Sequence, residues 1–228
     1  MINAIIFDMD GVIVDSEPFW RQAKINAVAR FGGSITEQQT YQSSGLRIDE
    51  IAEHWIRHCD LDPACKQPLC DAILDEVIKQ IKSKGKLLPG VRESLQWLAT
   101  TDLKVGLASS SPSRLIAAVL DIFDLKKHFS VQLSAEHLEY GKPHPQVYLQ
   151  AASQLNVAPH HCLAIEDSVN GLLAAKAAKM TGVCVPEPGQ ENNPSFGIAD
   201  YKLTSLNEFI SPVFSELLKI ALPTRSIA

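Results

Sequence analysis

Short apolar runs that end in acidic or hydroxyl residues recur along the chain, separated by stretches with helical spacing. The first, residues 3–7, runs Asn3-Ala4-Ile5-Ile6-Phe7 into Asp8-Met9-Asp10. A central parallel strand takes this form when its carboxyl end carries a site. The same form returns at 104–111 and 162–168, with a weaker copy at 183–186. Between these runs, apolar positions three and four apart predict helices over 91–100, 114–121, 145–155 and 169–179. Alternating strands and helices predict an α/β fold with a doubly wound parallel sheet.

Between the first strand and Leu87 the alternation stops, and only helical periodicity is left, as in Ile48, Ile51, Ala52, Trp55 and Ile56. The pattern predicts an α/β catalytic core of residues 1–15 and 87–228 and an inserted helical cap of residues 16–86. Asp15-Ser16 and Lys84-Gly85-Lys86 are the expected hinges, since both are poor helix interiors. A hinged helical lobe above a sheet edge is a candidate lid. The tail after Pro212 offers no recognisable chemistry.

Composition narrows the class. With 46% hydrophobic and 21% charged residues the chain has the profile of an ordinary globular protein. A net charge of -5, with the 21 basic residues dispersed, leaves no electrostatic footprint for nucleic acid. Apolar runs such as Ala4 to Phe7 are far too short for a membrane span, and the first residues lack the features of a signal peptide. Five cysteines without a CxxC pair argue against a disulfide framework, so a cytoplasmic protein is expected. His54, His58, Cys59, Cys65 and Cys70 admit a metal-site reading, but zinc sites show tighter cysteine pairs. An amphipathic helix with partly buried thiols is the expectation there.

Ligands of open α/β sheets bind at the carboxyl ends of the strands. Those ends supply Asp8-Met9-Asp10-Gly11, Ser109-Ser110-Ser111, Lys142 before Pro143, and Glu166-Asp167-Ser168. Phosphoryl transfer needs these groups: a carboxylate nucleophile, a second carboxyl for proton transfer, a divalent cation, and donors for the phosphate oxygens. Asp8 is the candidate nucleophile and Asp10 the acid and base. Gly11 allows a sharp backbone turn beside the phosphate. Clustered carboxylates call for a hard cation with oxygen ligands, and Mg2+ is the natural choice. Asp8, Asp167 and the Asp10 carbonyl are its expected ligands, with Glu166 acting directly or through water. Lys142, Ser109, Ser110 and the adjoining backbone N–H groups are the expected phosphate binders.

This combination resembles the haloacid dehalogenase superfamily, whose members carry an Asp-x-Asp strand end, a Ser or Thr strand end, a Lys and a final acidic pair. The segments FDMDGVIVDSE, GLASSS, GKPHPQVY and AIEDSVNG carry the likeness over about residues 3 to 186. The helical insertion resembles the cap of the β-phosphoglucomutase-like branch. The wording DSEPFW, GLRIDE and LLPGVRE is most similar to bacterial hexose-phosphate and hexitol-phosphate phosphatases, including 2-deoxyglucose-6-phosphatases. The resemblance implies a phosphatase of small phosphate monoesters that works through a phosphoaspartate, and a monomer is the expected assembly. A sugar-phosphate mutase and a phosphoglycolate-type phosphatase are the alternatives.

Four further residues carry two readings each. Asp15 is read first as the cap of a helix starting near Glu17-Pro18, and second as a site carboxylate. Arg47 is either the arginine that such caps lower onto a substrate or a helix-surface arginine. Phe19 and Trp20 are either core packing or a sugar platform. Counting from the first motif, Trp20 stands where the mutase pattern has a histidine, and an indole offers only a donor. A phosphorylated receiver domain is disfavoured, because its aspartate follows a later strand and it has no such cap. Asp10 argues against a dehalogenase, which lacks that second aspartate.

Overall fold

Strand β1 (Ala4–Phe7) is buried on both faces, and the alternation of its side chains divides the core in two. Ile5 and Phe7 join the larger cluster, with Val91, Leu95, Leu115 and Val119. Ala4 and Ile6 face the smaller one, with Tyr148, Ala151, Ala152 and Leu155. A strand covered on both sides needs helices on both sides, as the near-continuous apolar run implies.

The computed structural model describes residues 1–211. The tail after Pro212, and with it the end of the expected core range, lies outside the described residues. Six parallel strands stand in the order β3-β2-β1-β4-β5-β6: β2 (Lys104–Ser109), β3 (Val131–Ser134), β4 (Cys162–Glu166), β5 (Thr181–Cys184) and β6 (Tyr201–Lys202) around β1. Ala4 is in register with Lys104 on one side and Cys162 on the other. The strand order therefore reverses at β1, and a crevice opens at the carboxyl ends of β1, β2 and β4.

The doubly wound sheet is as expected, but two of its strands were not foreseen. β3 has one fully buried residue and β6 has none, so neither shows an apolar run.

Helices α1 (Glu17–Arg30), α2 (Glu37–Thr40), α3 (Ile48–Cys59) and α4 (Lys66–Lys84) occupy the stretch between β1 and Leu87. Trp55, Leu69, Ile73 and Val77 are fully buried among them. The remaining helices flank the sheet: α5 (Val91–Leu98), α6 (Ser113–Ile122), α7 (Gln146–Gln154) and α8 (Val169–Ala177). The two connections to the helical stretch run side by side. Val14 and Leu87 form an antiparallel bridge, Asp15 N–H donates to the Lys86 carbonyl at 3.1 Å, and Leu88 N–H donates to the Ile13 carbonyl at 3.0 Å.

Helix α1 corrects the expectation for Asp15. The N-cap position is Ser16, and Asp15 is exposed. Ser16 does not cap through its side chain either, because its hydroxyl is drawn to Asp10 at 2.6 Å. His54 and His58 stack at 6.1 Å on α3, and no metal-ligating cluster among the described residues includes them. Among the described residues, no helix is long and apolar enough to cross a membrane.

Candidate active site

Asp8 follows β1 directly, and its backbone N–H is held by the Ile165 carbonyl of β4 at 2.9 Å. This strand-end tether fixes where the carboxylate leaves the chain. Lys142 Nζ donates to Asp8 Oδ1 at 2.9 Å, to Glu166 Oε1 at 2.6 Å and to the Ala108 carbonyl at 3.1 Å. All three N–H groups of the ammonium are thereby used. Lys142 is 3% exposed and Glu166 not at all, so the charges are paired in a medium that screens them little.

The acid–base consequences follow. Burial raises the Asp8 pKa to about 7, Lys142 opposes the rise, and the Glu166 and Asp10 charges add to it. Asp167 is also pushed well above the usual carboxylate range, by burial and then by Asp8 and Glu166. Burial works against the Lys142 ammonium, but Asp8 and Glu166 outweigh it and hold the amine above its ordinary value. These carboxylates carry more negative charge than one lysine offsets.

Asp10 is held by three donors. Ser16 Oγ and Trp20 Nε1 donate to Oδ1 at 2.6 and 2.8 Å, and Ser111 Oγ donates to Oδ2 at 2.6 Å. Ser16 and Trp20 lie one helical turn apart on α1, so one face of that helix reaches both. Ser111 is positioned in turn by Ser134, whose hydroxyl donates to the Ser111 carbonyl at 2.6 Å, and by Ser109 Oγ, which accepts from Ser111 N–H at 3.0 Å. Neither reading of Trp20 foresaw its bond to Asp10. Trp20→Phe removes a hydrogen bond to a charged group and is expected to lower kcat about tenfold, with the fold retained by circular dichroism. An unchanged kcat would show that the indole does not help to place Asp10.

On the far side of Lys142, the Tyr148 hydroxyl donates to Glu166 Oε1 at 2.5 Å. Ser168 Oγ donates to Oε2 at 3.2 Å while accepting from Gly171 N–H at the start of α8. A side chain at position 171 would put its Cβ 1.9 Å from the Glu166 carboxyl carbon, so glycine there leaves room for the buried acid. Gly11 has a similar role: its φ is 70°, and a Cβ would lie 1.9 Å from Asp167 Oδ2. It makes space for Asp167 and does not itself line the cavity.

A cavity of about 550 Å³ opens over these groups. Asp8, Asp10, Ser109, Ser110, Lys142 and Asp167 line it. Among the described residues the buried Ser110 hydroxyl has no hydrogen-bond partner, as a donor reserved for a ligand would have none. Ligand oxygens of Asp8, Glu166 and Asp167 lie within 4.8 Å of one another, an all-oxygen donor set suited to a hard divalent cation.

Arg47 is not brought to this cavity. It sits at the N-cap of α3, where Nη1 donates to the Leu138 carbonyl at 2.6 Å and Nη2 to Asp49 at 3.2 Å. Its guanidinium ties the helical stretch to the loop before Lys142. Trp20 does line the cavity, together with Glu17 and Lys24 of the same helix, which the sequence had not singled out.

A switch-point crevice with this chemistry places the molecule among the phosphoric monoester hydrolases built on a parallel α/β sheet. More particularly, the chain belongs to the haloacid dehalogenase-like hydrolase family, which it matches over residues 2–179. It is 43% identical to hexitol phosphatase B of Escherichia coli strain K12 over 208 residues, covering 91% of this chain and 94% of the relative. It is 31% identical to a phosphorylated carbohydrates phosphatase of Thermotoga maritima, covering 78% of this chain and 82% of that one. Among solved structures, β-phosphoglucomutase of Clostridium difficile superposes with a TM-score of 0.84 at 25% identity, over 96% of this chain and 98% of the other.

Proposed function

We propose that this phosphatase is magnesium-dependent and hydrolyses small sugar or sugar-alcohol phosphates, of the hexose 6-phosphate or hexitol phosphate type, through a phosphoaspartate on Asp8. The observation that carries the reading is the pairing of two aspartates with unlike surroundings. Asp8 is held by an ammonium at the end of the central strand, whereas Asp10 is held by two hydroxyls and an indole. The first arrangement suits a nucleophile facing an anion, and the second fixes a group that moves a proton.

A carboxylate oxygen of Asp8 attacks phosphorus. As the acyl phosphate forms, the bond from phosphorus to the leaving oxygen breaks, and Asp10 delivers a proton to that oxygen. Asp10 then takes a proton from water, whose oxygen displaces Asp8 from phosphorus and releases inorganic phosphate. Lys142, Ser109 and Ser110 offset the charge on the phosphoryl oxygens. Asp8, Asp167 and the Asp10 carbonyl are the residues to hold Mg2+. Glu166 joins them directly or through water, and its Oε1, already shared by Lys142 and Tyr148, favours the water-mediated role. When bound, the cation supplies charge neutralisation for the carboxylates and for the phosphate.

EDTA is expected to silence the enzyme and Mg2+ to restore it, with Ca2+ a poor substitute, because calcium prefers more ligands and looser geometry. Undiminished phosphate release in metal-free buffer is the result that rejects the metal reading. Residues 16–86 act as the cap, hinged beside the Val14–Leu87 bridge. Five free cysteines support a reducing cytoplasmic setting, and the monomer remains the assembly proposed.

Hydrolysis is separated from phosphate transfer within the substrate by incubation with β-glucose 1-phosphate and with hexose 6-phosphates. Trp20 Nε1 is a donor already spent on Asp10 and cannot act as base toward a second sugar hydroxyl. Phosphate release is therefore expected to outrun isomer interconversion. The opposite order would make the protein a mutase.

A further inference from the structure

The cavity extends beyond the groups at the strand ends. There Glu17 and Lys24 line it from α1, with Tyr41, Ser43 and Glu187 beside them. Glu17, Trp20 and Lys24 stand at i, i+3 and i+7, so the helix face that pins Asp10 through Trp20 also carries a carboxylate and an ammonium. The backbone positions of Glu17 and Lys24 are two turns apart, about 10.5 Å along the axis.

The two groups feel each other electrostatically, yet no hydrogen bond or ion pair joins them among the described residues. The Glu17 carboxylate accepts no hydrogen bond there. Its one ion-pair neighbour, Arg21, lies at 4.0 Å and is committed to Glu187 at 3.0 Å. Lys24 Nζ donates to the Thr40 carbonyl at 2.9 Å and to Ser43 Oγ at 3.3 Å, which leaves one N–H unused among the described residues. Burial raises the Glu17 pKa to about 7, with Asp10 and Glu187 adding to the rise, and burial lowers that of Lys24 to about 8. A half-buried acceptor and a buried donor, both left incomplete on one helix face that lines a ligand cavity, suit a ligand that offers both.

We infer that Glu17 and Lys24 form a hydroxyl-binding subsite that selects an uncharged, polyhydroxylated leaving group, a hydroxyl donating to Glu17 while it or its neighbour accepts from Lys24. The inference rests on the sugar-phosphate reading above and adds the residues that enforce it. A hydroxyl is both donor and acceptor and completes both groups at once. A carboxylate-bearing leaving group such as glycolate is only an acceptor and has no hydroxyl hydrogen left to give Glu17. The subsite therefore favours alditol and sugar phosphates over phosphoglycolate.

The test is a cycle between substrate and protein. The kcat/KM for glucitol 6-phosphate is compared with that for each monodeoxy analogue, using the parent enzyme, Glu17→Met and Lys24→Met. Methionine keeps the length of either side chain without its polar end. At least one analogue is expected to lose about tenfold or more with the parent and under about twofold with Glu17→Met. Equal losses with parent and variant for every analogue would overturn the subsite. A parent indifferent to every deletion would also overturn it, without recourse to a variant that might not fold. A parent that hydrolyses phosphoglycolate and no hexitol or hexose phosphate would instead overturn the sugar-phosphate reading itself, and the subsite with it.

Discussion

Asp8→Asn is expected to abolish turnover, by about four orders of magnitude or more, while leaving the folded state intact. An amide has the size and shape of the carboxylate but cannot form a mixed anhydride with phosphate, so the covalent route is lost entirely. Lys142 would still have the amide oxygen at the position now taken by Asp8 Oδ1, which is why little structural change is expected. The measurement is single-turnover phosphate release beside a thermal melt. Residual activity within a hundredfold of the parent would remove Asp8 from the nucleophile role.

Lys142→Met should damage both stability and activity. The ammonium is the shared partner of Asp8 and Glu166, and both acids are buried. Removing one member of a buried ionic group while the others remain costs about 3–5 kcal/mol. Urea denaturation in metal-free buffer is expected to show a loss of that size, with turnover reduced about a thousandfold or more because the phosphoryl charge loses its fixed cation. Mg2+ should return part of the stability and little of the activity. A variant as stable as the parent without metal would mean that the Lys142 ion pairs add nothing net to the fold.

The positions of Asp8, Asp10, Ser109, Lys142, Glu166 and Asp167 were legible because each follows a strand or precedes a marked turn, and the sheet topology brings strand ends together. The central strand was legible for a related reason: burial on both faces leaves an unbroken apolar run. β3 and β6 escaped because they are short and half wet, with no period to read. Asp15 was misplaced by one residue because local capping rules ignore a distant competitor. Ser16 took the cap position, and Asp10 took the Ser16 hydroxyl. Arg47 was unreadable for the same physical reason, since its Leu138 acceptor lies far along the chain and is placed only by tertiary packing. Trp20 and Tyr148 were visible as aromatic residues at helical spacing. That a single polar atom of each ends on a carboxylate of the candidate site is a matter of angstroms, not of pattern.

The bridge between Val14 and Leu87 brings the entry and exit of the helical stretch to one point. Facing residues of an antiparallel bridge lie about 5 Å apart, a gap that a tight turn spans. In terms of chain connectivity, the four helices from Glu17 to Lys84 form a detachable module whose removal leaves the parallel sheet with an uninterrupted path. Insertions, deletions or wholesale replacement between those two anchors are paid for chiefly in loop closure, which grows only slowly with length. A chain built on this sheet is thus free to exchange its helical stretch while keeping the strand ends unchanged.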